Sequence, residues 1–178
     1  MAKLNDKTYW QKLEDIGWLK YLPADMHEEV REQLRTNLSR PETQWAFLAL
    51  TQAGFDSECI DDENSYVKIL KDLAKDSRGV FAPTNIKAEC KKKTIKISFD
   101  HRGKSYSCQV PFESDWFEFS VLDLMNKALE ESKAEERFIL LPAADQLANI
   151  VILPPAVYEK AVKEGLIPEA DALSEYDD

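Results

Sequence analysis

Between Ile86 and Val110 the apolar residues of this 178-residue chain stop recurring every three or four positions and begin recurring every second one. That change of period limits the fold more tightly than any other feature. The stretches "IKAEC", "TIKISF" and "KSYSCQV" place Ile86, Ala88 and Cys90, then Ile95, Ile97 and Phe99, then Tyr106, Cys108 and Val110 on one face of three extended segments. "KKK" and "DHRG" separate them as polar turns, with Gly103 suited to positive φ. An antiparallel meander with one buried face is expected, and such a face needs a helical layer against it.

The flanking sequence supplies helices. Asn5 or Asp6 can cap a helix carrying Trp10, Leu13 and Ile16, ending near Gly17. Pro23 suits the first turn of a second helix with Met26, Val30, Leu34 and Leu38 at four-residue spacing. "SRPE" (Ser39–Glu42) has capping-box spacing ahead of Trp45, Leu48 and Ala49, with Gly54 as a stop. A fourth helix is expected from about Asn64 to Ser77, burying Tyr66, Ile69, Leu70 and Leu73. After the meander come a helix from roughly Phe117 or Ser120 to Ser132, strands at "RFILL" and "NIVIL", and a last helix opened by Pro154-Pro155. The class is α+β: an N-terminal helical layer over 1–80, then an antiparallel or mixed sheet unit over 81–168 in the order βββαββα, together forming one compact domain. The tail 169–178 carries five carboxylates and no base, and is expected to be disordered.

A formal charge of −10 argues against general affinity for nucleic acid or anionic membranes and suits a basic partner. Seven bases against two acids between Lys87 and Lys104 reverse that sign locally, with few aromatics interleaved for base stacking. No apolar run approaches the roughly 20 residues that cross a bilayer, and the first residues lack a signal peptide's apolar segment. A cytoplasmic location is expected. Cys59, Cys90 and Cys108 are an odd number without CxxC spacing. They are read as reduced thiols, with no zinc site and no other cofactor or metal.

Catalytic constellations are not expected. His101 sits in a turn and Cys108 several residues along the next strand, too far for a Cys–His pair at about 3.3 Å per residue. Both histidines, His27 and His101, are read as exposed polar residues. "DSECIDDEN" (Asp56–Asn64) holds five acids but lacks the alternating ligands and central Gly of a calcium loop. Its acids suit the N-terminus of the following helix.

Two segments remain as a candidate binding surface: Asp56, Glu58, Asp61, Asp62 and Glu63 in that loop, and Glu113, Asp115, Trp116 and Glu118 in "PFESDWFEFSV". If a helix begins near Asp115, Phe117 shares a face with Val121 and Leu124 and joins the core, as does Phe119, while the acids occupy its first turn. Trp116 then has no core slot. An exposed Trp among carboxylates is an anchor for a basic protein surface, aromatic burial supplying energy and charge supplying steering.

The segments "DWFEFSVLDLMNKALEE", "ERFILLPAADQLANIVIL" and "YEKAVKEGLIP", about the last third of the chain, together resemble bacterial immunity proteins encoded beside polymorphic or contact-dependent toxins. The resemblance implies a non-enzymatic inhibitor that neutralises a basic cognate toxin by occlusion. A small hydrolase or transferase whose dispersed acids converge only in the fold, and a regulatory or structural subunit of a complex, are the other classes left open.

Overall fold

The structure, a computed structural model, describes residues 5–40, 43–143 and 146–169. The expected tail lies outside them apart from Glu169, and so do Pro41 and Glu42 of the "SRPE" box. The fold is α+β. Among the described residues five α-helices are α1 (Asp6–Asp15), α2 (His27–Leu38), α3 (Glu63–Asp76), α4 (Ser120–Glu131) and α5 (Pro155–Lys163). Six strands among them are β1 (Ala53–Asp56), β2 (Pro83–Lys91), β3 (Thr94–His101), β4 (Lys104–Pro111), β5 (Arg137–Leu140) and β6 (Leu147–Leu153). They form two three-stranded sheets, ordered β1-β6-β5 and β2-β3-β4.

By its contacts the chain divides into two compact units. One comprises Met1–Gln52, Ile139–Ala144 and Asn149–Asp178, the other Ala53–Phe138 and Asp145–Ala148. The division does not follow the change of period near residue 80, because α3 groups with the meander.

In the first unit Asn5 caps α1 through Oδ1, which accepts from the Thr8 amide at 2.9 Å. Gly17 takes φ 84° and turns the chain into a short 3₁₀ segment at Trp18–Lys20. Trp18, Val30, Leu34, Phe47, Val151 and Ile167 are among the buried residues of one core cluster. Each such side chain contributes about 1.5–3 kcal/mol by leaving water. Where a helix carrying Trp45, Leu48 and Ala49 was expected, the structure has a 3₁₀ helix, Thr43–Leu50, and Gly54 lies inside β1 rather than capping anything. "WAFLAL" is apolar at every position, so it selects no helical stripe.

In the second unit the meander forms as expected, with Ala88 opposite Ile97 and Ile97 opposite Cys108. Ile95, Ile97, Phe99, Tyr106 and Val110 are buried. On β2, however, Ile86 and Ala88 are only half-buried and Cys90 is exposed, because β2 is an edge strand. His101 corrects the exposed reading. It is 1 % exposed, since it continues the inward positions 95, 97 and 99, and it stacks on Phe81 at 5.4 Å. His27 is also partly buried, its Nε2 within 3.0 Å of the Leu22 carbonyl. α4 packs Val121, Leu122, Met125, Ala128 and Leu129 inward. Asn126 pins the start of β5 from both sides, donating to the Phe138 carbonyl at 2.9 Å and accepting from its amide at 2.8 Å. All three cysteines are free.

Candidate functional site

Both acidic segments belong to the second unit, and backbone pairing joins them. The buried Ser57 anchors the loop after β1: its amide and hydroxyl both donate to the Gln146 carbonyl, at 2.8 and 2.6 Å. The Phe117 amide donates to the Ser57 carbonyl at 2.7 Å, and the Ile60 amide to the Asp115 carbonyl at 2.8 Å. Between these two bonds Glu58 and Trp116 pair as an isolated antiparallel bridge. Ile60 and Phe117 are buried there, while Glu58, Asp115 and Trp116 are exposed.

Phe117, only 3 % exposed, is the anchor of this arrangement. Its ring meets Phe55 at 4.8 Å, Tyr66 at 5.3 Å and Phe119 at 5.5 Å. The Tyr66 hydroxyl accepts from the Glu118 amide at 3.2 Å, and burial pushes that phenol's pKa up. Trp116, whose exposure the sequence left open, is 47 % exposed, while Phe119, expected in the core, is 36 % exposed. α4 begins at Ser120, not near Asp115, and Phe119 occupies its N-cap position without a side-chain cap. Glu113, Asp115 and Glu118 thus precede the helix instead of lining its first turn, where Asp123 stands alone.

Asp56, Asp61 and Asp62 of the loop line a neighbouring cleft of about 540 Å³. Phe55 and Ile69 also line it, and Asp72 adds a fourth carboxylate against one base, Lys68. Asp56 is shaped by local bonds: Oδ1 accepts from the Glu58 amide at 2.9 Å and Oδ2 from Gln146 Nε2 at 3.0 Å. Asp62 is the N-cap of α3 and forms a capping box with Ser65. Hydrogen bonds led by that from the Asn64 side chain hold its carboxyl below the usual range. Cys59 also lines the cleft, and burial, then Asp56 and Asp61, push its thiol pKa up while Lys68 opposes. A protonated thiol is a poor nucleophile.

The nine sequence-derived residues therefore divide by place. Glu58, Asp115 and Trp116 meet at the bridge, and Asp56, Asp61 and Asp62 line the cleft beside it. Glu63 is the first residue of α3 and Glu118 lies half-buried beside Tyr66. Glu113 is paired with Lys93 at 3.5 Å, which cancels its charge locally. Asp72 was not anticipated, although Ser65, Lys68, Ile69 and Asp72 keep the i, i+3, i+4, i+7 spacing of one helix face. Among the described residues no group of three or more His, Cys, Asp or Glu side chains is arranged to hold a metal ion. No described helix is long and apolar enough to cross a membrane.

No family model, no curated protein and no solved structure matches the chain.

Proposed function

We propose that the chain is a non-enzymatic binding protein of immunity type that occludes a basic partner, the cognate toxin, through the surface centred on Trp116. The observation that carries this reading is the Glu58–Trp116 bridge. It pairs the half-exposed Trp116, next in the chain to Asp115, with Glu58, next in the chain to Cys59 of the acidic cleft. Aromatic anchors at the centre of an interface supply most of its energy, and surrounding charge sets the encounter rate and rejects wrong partners. The partner implied is a protein with a cationic, partly apolar face, in keeping with the chain's net charge of −10.

The test is comparative capture from the native cells, using wild type and Trp116→Ala as baits. The captured protein is then purified, and growth is measured in cells expressing it with either version of the chain. A basic protein held by wild type, released by Trp116→Ala and relieved of toxicity only by wild type supports the proposal. Equal capture by both baits, or toxicity unaffected by wild type, overturns it.

A further inference from the structure

We propose that the free edge of β2 pairs with the same edge of a second copy of the chain, joining two meanders into one sheet about a two-fold axis at Ala88. This surface is separate from the one around Trp116, and the proposal does not depend on the partner reading.

Geometry comes first. Among the described residues β2 ends its sheet and is bonded to no strand but β3. Lys92 and Lys93 form a two-residue turn, which makes Lys91 opposite Thr94 a hydrogen-bonded pair. The antiparallel ladder alternates, so Glu89 and Lys87 also direct their amides and carbonyls to β3. Ala88 and Cys90 direct theirs off the edge, where among the described residues no bond outside the ladder reaches them.

The side chains agree. Ala88 and Cys90 sit opposite the buried Ile97 and Ile95, on the core face, yet Ala88 is half-exposed and Cys90 exposed. The core face thus runs out to an uncovered strip, with half-exposed Ile86 beside it.

Charge selects both the occupant and the register. The other face of β2 carries Lys87, Glu89 and Lys91 in alternation. An antiparallel pairing centred on Ala88 sets Lys87 opposite Glu89 of the second copy and the reverse. It also pairs outward-directed backbone with outward-directed backbone. Centring on Glu89 instead opposes Glu89 to itself and Lys87 to Lys91. Centring on Cys90 also opposes Glu89 to Lys91, but it sets Ala88 against Lys92 of the turn, outside the strand. Like charges directly opposite are destabilising, so the Ala88 register is the one that is both charge-matched and contained within β2. Charged edges usually prevent association; here alternating sign permits a self-complementary pairing, which a two-fold interface requires. The bulge between Thr84 and Lys87 ends the usable edge, fixed where Asn85 Nδ2 donates to Asp100 Oδ2 at 2.7 Å.

So short an edge gives a small, weak interface, and association is expected only in the micromolar to millimolar range. Sedimentation of the full chain from about 10 μM to about 1 mM spans that range. Wild type should shift from monomer to dimer, Glu89→Lys should stay monomeric, and Lys87→Glu combined with Glu89→Lys should dimerise again. A thermal melt of each variant shows that it is folded. Independently, Ala88→Cys in a Cys90→Ser background should oxidise to a covalent dimer, since hydrogen-bonded antiparallel partners lie about 5.5 Å apart at Cα. Wild type that remains monomeric throughout, a double charge reversal that fails to restore the dimer, or an Ala88→Cys chain that does not cross-link would each overturn the proposal.

Discussion

Glu58 and Trp116 stand opposite each other in a bridge whose flanking bonds come from other residues, the amides of Ile60 and Phe117. Neither side chain is needed to hold the two segments together. Substitution at these positions therefore reads binding, whereas substitution of the inward neighbours reads folding.

The first prediction uses that separation. Trp116→Ala should change unfolding free energy by less than about 1 kcal/mol, because the indole is 47 % exposed. Phe117→Ala should cost about 3–5 kcal/mol, because it empties the space between Phe55 and Tyr66. Urea titrations of the two variants provide the comparison. Against the basic partner, Trp116→Ala should raise the dissociation rate roughly 30-fold, equivalent to about 2 kcal/mol. If Trp116→Ala unfolds the chain, the indole is core and the docking proposal fails.

The second prediction concerns charge. Glu58→Lys and Asp115→Lys should slow association and flatten its dependence on salt, with little change in dissociation. Asp62→Ala should behave differently. Its carboxylate accepts from the Asn64 and Ser65 amides, so its loss removes the cap of α3 and lowers the melting temperature. The sign of its pH dependence follows from its lowered pKa. The capping contribution is present above the unfolded carboxyl's pKa and is lost as pH falls through the folded one. Stopped-flow binding at two salt concentrations and thermal melts in acid distinguish the two classes of residue.

These contrasts show which relationships were legible in the sequence. The meander was, because period-two alternation is local and each turn carries its own signal. The inward position of His101 was legible too, since it extends the series 95, 97, 99; the adjoining turn residues Arg102 and Gly103 concealed it. β1 was not: four residues including Gly54 carry no period, and pairing to β6 is what makes them a strand. The start of α4 was left between Phe117 and Ser120 because no side chain caps it; the structure begins it at Ser120. Both acidic segments were visible as composition, but their meeting was not, because it rests on two long-range backbone bonds that leave no pattern in either segment.

The third prediction concerns His101. Burial is the main cause of its lowered pKa, with the Ala82 backbone opposing, and Nδ1 makes no hydrogen bond of ordinary geometry. The unfolded chain then takes up a proton near pH 6.5 that the folded chain resists. Stability is retained above that pH and falls as pH drops below it, levelling only beneath the folded pKa. His101→Phe keeps an aromatic ring against Phe81 and removes the titration. Urea midpoints at pH 7.5 and 5.5 should differ more for wild type than for His101→Phe. Equal differences would show that His101 does not carry the pH response.

The fourth prediction tests the cleft without needing a partner. Burial and the carboxylates of Asp56 and Asp61 hold the Cys59 thiol protonated, and Lys68 opposes them. Alkylation by iodoacetamide proceeds through the thiolate, so Cys59 should react slowly near pH 7.5. Burial raises the pKa of Cys108 as well, and it should also be slow. Mass spectrometry of dilute protein should find Cys90, the exposed thiol, labelled before either. Asp61→Asn should accelerate labelling at Cys59 and leave Cys108 unchanged, while Lys68→Gln should slow it further. Added salt should accelerate wild type toward the Asp61→Asn rate by screening the same charge. If Asp61→Asn and salt both leave the Cys59 rate where it was, the acids do not set the potential of the cleft. The electrostatic basis for a cationic partner there would then be lost.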